Sequence, residues 1–175
     1  MTKNIIIISS TPRKGGNSDI LCDEFLKGAE KAGHNAKKIF LNDKNINYCT
    51  GCLDCVTKNS CSQNDDMGEI IKQILKADVL VFTTPVYFYT MSGQLKTFID
   101  RCCAGYTQMR DLDLYFITSA SAPYNGGTVD GIKRFTDCLV NCTEKLTIHA
   151  PATEINEIKS NEKIMKEAYN AGLNC

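Results

Sequence analysis

Short apolar segments alternate with amphipathic segments along this chain, and that alternation constrains the fold more than any other feature. Several of the apolar segments are nearly continuous runs of Ile, Val, Leu and Phe, which is typical of strands buried on both faces of a parallel sheet. Five segments have the length and composition of strands, at residues 4–8, 36–41, 78–84, 112–118 and 146–151.

Between the strands, apolar side chains recur at the spacing of a helix face. The pattern predicts five helices, at residues 18–32, 66–77, 92–103, 130–142 and 160–172. Each crossover helix must bury its apolar face against the sheet, so we predict an α/β fold with helices on both faces of a five-stranded parallel sheet. The length of 175 residues suits a single domain spanning 1–175.

The charge balance argues against two classes of partner. The chain has 20 basic and 20 acidic residues, so net charge gives no reason to expect nucleic acid or a membrane surface as a partner. The aliphatic run at residues 5–8 is too short to span a bilayer, and the first residues lack the pattern of a signal peptide. We therefore expect a cytoplasmic protein, in which the ten cysteines would not form a disulfide framework.

In an α/β sheet of this kind, ligands bind beyond the carboxyl ends of the strands, which directs attention to the connecting loops. The first loop, SSTPRKGGNS at residues 9–18, leaves a buried strand and opens a helix. Its amides, hydroxyl groups and Arg13 would face an anion, and the absence of an ATPase-type lysine motif favours a monophosphate. The alternative is a solvated turn with Asn17 or Ser18 as the helix N-cap.

The second loop, within residues 83–96, places four bulky side chains after Pro85, namely Val86, Tyr87, Phe88 and Tyr89. Such residues would form walls for a flat aromatic ligand. They would equally serve a dimer interface, and covering them predicts a homodimer or a homotetramer. A third loop at residues 119–131 is rich in small residues, which suits either a close approach to a ligand or an ordinary connection.

Four segments in this order resemble a known family. They are STPRKGGNS, the cysteine-rich loop at residues 49–61, NDDMGEI at 64–70 and ADVLVFTTPVYFYTMSGQLKTFIDR at 77–101. The chain resembles flavodoxin-fold NAD(P)H-dependent FMN reductases, in the branch that includes iron–sulfur flavoproteins. The resemblance implies a flavodoxin-like three-layer sandwich with parallel strand order 2-1-3-4-5.

The resemblance also implies a cofactor and its contacts. FMN would bind with its phosphate at Ser10, Thr11, Arg13, Asn17 and Ser18. Its isoalloxazine ring would lie against Pro85, Val86, Tyr87 and Phe88, with Ser119 on a third side. NAD(P)H would be the co-substrate, with its nicotinamide stacked on the open flavin face. Because the cofactor performs hydride transfer, we nominate no catalytic side chain.

Residues 49–61, CTGCLDCVTKNSC, place Cys49, Cys52, Cys55 and Cys61 close together. A disulfide pair is disfavoured by the expected compartment, and structural zinc more often uses two separated C-x2-C pairs. Consecutive C-x2-C-x2-C is the bacterial ferredoxin spacing, and the iron–sulfur branch of the family holds a [4Fe–4S] cluster there. A cluster, bare thiols and zinc all remain alternatives. Arg101, beside Asp100 at a helix end, is expected to form a surface or interface pair.

Two functions follow from these expectations. The first is an FMN-dependent NAD(P)H oxidoreductase that passes reducing equivalents to a small-molecule or redox-protein acceptor. The second is an electron carrier that receives single electrons through a cluster at the four cysteines and stores them on FMN. A flavin-binding module without turnover is a third reading.

Overall fold

The structure is a computed structural model, which describes residues 1–58, 60–121 and 126–175. The strands are β1 (Asn4–Ser9), β2 (Asn35–Phe40), β3 (Val79–Tyr87), β4 (Thr90–Met91), β5 (Asp113–Ala120) and β6 (Thr143–Pro151). The helices are α1 (Asn17–Lys31), α2 (Asp54–Lys58), α3 (Met67–Ile74), α4 (Gly93–Arg101), α5 (Gly126–Thr136) and α6 (Glu162–Leu173). Part of the third loop, residues 122–125, lies outside the described residues.

The sheet has the predicted topology. Its order is β2-β1-β3-β5-β6, and all of these neighbouring pairs are parallel. This confirms the order 2-1-3-4-5 for the five long strands. The two-residue strand β4 was not predicted, and it pairs antiparallel with the end of β3. The sheet therefore has six strands, because β3 continues three residues beyond the predicted strand and the chain then turns back to form β4.

The helices form a layer on each face of the sheet. Helices α1 and α6 pack on one face, where Phe25 and Ala168 join the inward-facing residues of β1, β3, β5 and β6. Helices α3, α4 and α5 pack on the other face, where Ile70, Phe98 and Ile132 surround Phe82 at the centre of β3. Alternate residues of the central strands enter opposite layers, which confirms the three-layer sandwich.

The register of the sheet aligns the loops predicted to hold a ligand. Ser9 of β1 pairs with Thr83 of β3, so the loops after these two strands begin side by side. Pro85 of β3 pairs with Ser119 of β5 at the same edge. Residues from three separate loops are thus brought to one end of the sheet.

Helices α1 and α6 cross at a very short distance. A methyl group on Gly28 would lie 2.0 Å from the backbone oxygen of Tyr169, and one on Gly172 would lie 2.0 Å from the backbone oxygen of Phe25. Only glycine allows the two backbones to approach this closely. This contact holds the C-terminal helix against the helix that follows the first loop.

Candidate functional site

The first turn of α1 is open to a ligand. Its N-cap is Gly16, and no side chain forms a capping hydrogen bond there. The alternative in which Asn17 or Ser18 caps the helix is therefore not observed. The first amides of a helix have no partner within the helix, and together with the helix dipole they favour an anion.

Asp19 shapes the loop before this helix, although the sequence pattern did not single it out. Its buried carboxylate accepts hydrogen bonds from the Gly15 amide at 3.0 Å and from the Ser9 hydroxyl at 2.8 Å. Gly15 has a φ of +70°, a conformation that glycine adopts readily. The Lys38 ammonium lies 3.1 Å from Asp19 and balances its charge. These contacts with the buried Asp19 carboxylate hold the conformation of the loop without a ligand.

Most of the predicted binding residues line one cleft of about 290 Å³ at the carboxyl end of the sheet. Eight of the ten are there: Thr11, Arg13, Asn17, Ser18, Pro85, Val86, Tyr87 and Ser119. The donors of the first loop and the apolar residues after β3 thus share one cavity. A cleft with an open helix N-terminus, an arginine and apolar walls fits a molecule that combines a phosphate with a flat ring.

Ser10 does not line this cleft. Its side chain is fully buried, and its hydroxyl donates to the Thr83 backbone oxygen at 2.8 Å. The Ser92 hydroxyl lies 2.9 Å from the Ser10 backbone oxygen and 3.1 Å from the Ser10 hydroxyl oxygen. Ser10 therefore ties the first loop to the start of α4, and its role as a phosphate contact stays a prediction.

Asn17 holds a wall of the cleft that the sequence did not reveal. Its side-chain amide donates to the Glu154 backbone oxygen at 2.8 Å, and its side-chain oxygen accepts from the Ile158 amide at 3.2 Å. Residues 152–155, after β6, line the cleft opposite the first loop. The Glu157 carboxylate accepts hydrogen bonds from the Thr153 and Glu154 amides, at 2.6 and 2.8 Å, and keeps this segment folded.

Phe88 and Tyr89 do not line the cleft. They form the two-residue turn between β3 and β4, and both have positive φ, +49° and +64°. Such a turn normally contains Asn or Gly, so two aromatic residues there are strained. Phe88 is 98% exposed and Tyr89 is 69% exposed. Phe88 is thus displayed at the tip of a hairpin rather than placed in the cleft beside Tyr87.

A second cluster lies in the loop after β2. All four predicted thiols, Cys49, Cys52, Cys55 and Cys61, line one small cavity of about 20 Å³, and Cys103 joins them. Among the described residues, no three His, Cys, Asp or Glu side chains converge as ligands of a single metal ion. Four thiols are the donor type that iron–sulfur clusters take, and in such a cluster each thiolate binds a different iron.

The expectation that Arg101 forms a surface pair is wrong, because this side chain is buried. Its Nη1 donates to the Asn47 backbone oxygen at 2.7 Å, and its Nη2 lies 3.4 Å from Cys61 Sγ. Both Nη atoms contact the Asp65 carboxylate, at 2.6 and 2.9 Å. The hydrogen bond to Asp65 raises the pKa of Arg101, so the guanidinium stays charged beside the cysteines. Arg101 thereby joins both ends of the cysteine loop.

The thiols of the cluster differ in their surroundings. Cys52 Sγ lies 3.5 Å from the Ser62 hydroxyl oxygen, and this hydrogen bond lowers the pKa of Cys52. Desolvation and the neighbouring Cys103 raise the pKa of Cys55. Cys55 and Cys103 have their sulfur atoms 3.7 Å apart. Cys103 was outside the predicted ligand set because it follows α4, and its only sequence signal was its place as the second residue of a Cys-Cys pair.

Comparison with known proteins bears on both sites. A model of the family described as NADPH-dependent FMN reductase matches residues 3–131. An iron–sulfur flavoprotein of Archaeoglobus fulgidus is 42% identical over 94 residues, which are 54% of this chain and 43% of that protein. An iron–sulfur flavoprotein of Methanosarcina thermophila is 32% identical over 94 residues, or 54% of this chain and 49% of that protein. The matched region thus spans about half the length of these relatives.

Solved structures confirm the fold. An NAD(P)H:quinone oxidoreductase from Methanothermobacter marburgensis superposes with a TM-score of 0.76 at 18% identity, covering 99% of this chain and 97% of that one. A flavone reductase superposes with a TM-score of 0.77 at 18% identity, covering 98% of this chain and 61% of that one. At this level of identity the likeness concerns the arrangement of helices and strands, which is flavodoxin-like.

Proposed function

Since the chain belongs to the NADPH-dependent FMN reductase family, we propose that it is an FMN-dependent NAD(P)H oxidoreductase that passes reducing equivalents to a small-molecule or redox-protein acceptor. The observation that carries this proposal is the cleft in which an uncapped helix N-terminus, Arg13 and the apolar edge after β3 meet. We propose that residues 1–175 form one FMN-binding domain around this cleft.

The chain's own residues would position the cofactor. The amides at the start of α1, together with Thr11, Arg13 and Ser18, would hold the phosphate. Pro85, Val86 and Tyr87 would support the ring, with Ser119 beside them. When bound, FMN supplies the exchange of a hydride with a nicotinamide, and the protein contributes binding and orientation. Asn17 would act mainly by fixing the 152–158 wall, because its side-chain amide and carbonyl groups are both engaged there.

A titration and a rapid-mixing experiment test this function. We expect the purified chain to bind FMN with quenching of flavin fluorescence and to release FMN, rather than FAD, on denaturation. Mixing the FMN-loaded protein with NADH or NADPH under anaerobic conditions should bleach the flavin absorbance in one fast phase. Protein that binds no FMN would disprove the proposal, and FMN-loaded protein that neither nucleotide reduces would exclude the reductase activity.

The cysteine cluster supports a second candidate, an iron–sulfur flavoprotein that carries electrons. Cys49, Cys52, Cys55 and Cys61 line one cavity, and the relatives named above are iron–sulfur flavoproteins. Anaerobically purified protein should then contain about four irons and four labile sulfides per chain, the content of one [4Fe–4S] cluster. Cys52→Ser should remove the iron while FMN remains bound. Iron-free protein with full flavin reduction by NAD(P)H would leave the reductase as the function.

Two further features bear on the oligomeric state and on the cellular compartment. The exposed aromatic tip at Phe88 and Tyr89 supports a homodimer or homotetramer in which a second copy covers this hairpin. All ten cysteines lie in the described ranges and are free thiols, which supports a reducing compartment such as the cytoplasm. The helices within residues 1–58, 60–121 and 126–175 include no candidate for a membrane span.

A further inference from the structure

A fifth thiol stands beside the four-cysteine loop. Cys103 lies in the single turn after α4, and its Sγ is 3.7 Å from that of Cys55 on α2. These residues are 48 positions apart in sequence, so only the packing of the cysteine loop against the end of α4 brings them together. Cys103 has no place in the C-x2-C-x2-C-x5-C spacing that predicts a metal site.

The two sulfur atoms lie close together. A disulfide bond is about 2.05 Å long, so the two sulfur atoms must approach by roughly 1.6 Å. Cys55 lies on a five-residue helix and Cys103 in a single 3-10 turn, and such short elements adjust more easily than the strands of the core. Cys103 is exposed and Cys55 is partly exposed, which admits a small oxidant.

Two neighbouring thiols, Cys61 and Cys102, are engaged or shielded. Cys61 Sγ lies against the buried Arg101 guanidinium. Cys102, which precedes Cys103 in the chain, has no exposed surface, and burial raises its pKa far above the usual thiol range. A thiol that is buried and protonated is a poor nucleophile. Cys55 Sγ is the sulfur atom that contacts Cys103 Sγ, so proximity favours this pair.

We propose that Cys55 and Cys103 form a reversible intramolecular disulfide when the protein meets a small-molecule disulfide. The Cys103 thiolate attacks one sulfur of the oxidant and releases one small thiol, which leaves a mixed disulfide on Cys103. The Cys55 thiolate then attacks the protein sulfur of that mixed disulfide and releases the second small thiol. Two protein thiols are oxidised, two electrons pass to the oxidant, and each released thiolate takes up one of the two protons.

The bond has a consequence for the four-cysteine loop. Cys55 cannot serve as a metal-ligating thiolate while it is bonded to Cys103, so oxidation and metal ligation at Cys55 exclude each other. Disulfides in reducing compartments are mostly transient or redox-sensing, which matches an exposed pair near a surface loop. Disulfide formation involves only the protein's own thiols and requires neither FMN binding nor turnover.

Peptide mapping tests the pairing directly. The full chain, reduced and treated with a metal chelator, is freed of reductant, incubated with oxidised glutathione, alkylated and digested with trypsin without reduction. We expect residues 45–58 linked to residues 102–110, with fragmentation assigning the bond to Cys55 and Cys103. The linked species should become the major form of both peptides and should disappear after dithiothreitol.

Two variants test whether the link depends on Cys103. Cys103→Ser should abolish the link, whereas Cys138→Ser should leave it unchanged, because Cys138 is an exposed thiol whose Sγ contacts the Arg134 backbone oxygen. A link from residues 45–58 to Cys61 or Cys102 would overturn the proposal. So would Cys103 that carries glutathione but never links to Cys55. Each result is read from the masses alone, independently of enzymatic activity.

Discussion

Arg101 and Asp65 form a two-pronged ion pair inside the protein, with Nη1–Oδ2 at 2.6 Å and Nη2–Oδ1 at 2.9 Å. The two side chains are 1% and 0% exposed, so solvent does not weaken the pair. Asp65 also accepts hydrogen bonds from the Asn47 and Met67 amides, at 3.1 and 3.2 Å. The pair therefore closes the base of the cysteine loop and connects it to α3 and α4.

Replacing Arg101 by alanine should lower the free energy of unfolding by about 3 kcal/mol or more, because a buried carboxylate would lose its partner. The measurement is urea unfolding followed by circular dichroism. Lys96→Ala on the same helix is the matched control, since Lys96 pairs with Asp100 at the surface and should cost less than about 1 kcal/mol. Equal effects of the two changes would contradict the structural role of Arg101.

The same pair predicts a dependence of stability on pH. The hydrogen bond from Arg101 holds the pKa of Asp65 below its ordinary value. A carboxyl group whose pKa is lower in the folded protein stabilises it fully above the unfolded pKa, near 4, and loses that contribution as pH falls through the folded pKa. The difference in unfolding free energy between the wild type and Asp65→Asn should therefore shrink below about pH 4.

Other carboxyl groups, such as Asp113 and Glu144, also have a lowered pKa. Because the wild type and Asp65→Asn share these groups, their titration cancels in the difference between the two unfolding free energies. A difference that stays constant from pH 6 to pH 3 would show that Asp65 does not titrate with a lowered pKa.

Arg13→Ala should weaken FMN binding by roughly tenfold, because one charge-assisted hydrogen bond to a phosphate contributes about 1.5 kcal/mol. Arg13 lines the cleft and is exposed, so the fold should be unaffected. Fluorescence titration with FMN measures the dissociation constant. Lys14→Ala is the control, because Lys14 pairs with Asp43 at 2.6 Å and does not line the cleft. Unchanged affinity in the Arg13 variant would place the phosphate elsewhere.

Gly28→Ala should destabilise the protein by roughly 1–3 kcal/mol, because the added methyl group would collide with the backbone of α6 at Tyr169. Gly68→Ala in α3 is the matched control, since a methyl group there meets nothing within 4 Å and alanine favours a helix by about 0.5–1 kcal/mol. The midpoint temperature of thermal unfolding should thus fall for Gly28→Ala and rise for Gly68→Ala. Similar shifts in both variants would rule out the tight contact of α1 and α6.

Phe88→Asp should shift the oligomer toward monomer, because a charge at the hairpin tip would have to be buried when a second copy covers it. Sedimentation velocity at micromolar concentration measures the change. Ile155→Asp is the control, since Ile155 is also an exposed apolar residue, 63% exposed, but lies on the segment after β6. A wild-type protein that sediments as a monomer would refute the proposed interface.

Much of the fold was predictable from local pattern. The apolar strands, the helical stripes and their alternation determine a parallel sheet with two helical layers, because each amphipathic face must be buried. The sequence also located the first loop and the apolar residues after β3, and eight of its ten predicted binding residues share one cleft. Helix boundaries differed by a few residues, as at α5, which begins at Gly126 rather than near residue 130.

Tertiary structure alone decided where individual loop side chains point. Ser10 and Phe88 are chemically similar to their neighbours in the cleft, Thr11 and Tyr87, yet Ser10 is buried and Phe88 lies at a hairpin tip. Loop residues lack the periodicity that assigns a face in a helix or strand. Contacts between distant segments were equally unpredictable from the sequence. Asn17 contacts Ile158, which is 141 positions away, and Cys55 contacts Cys103, which is 48 positions away. Such pairs depend on how loops from different strands pack at one edge of the sheet.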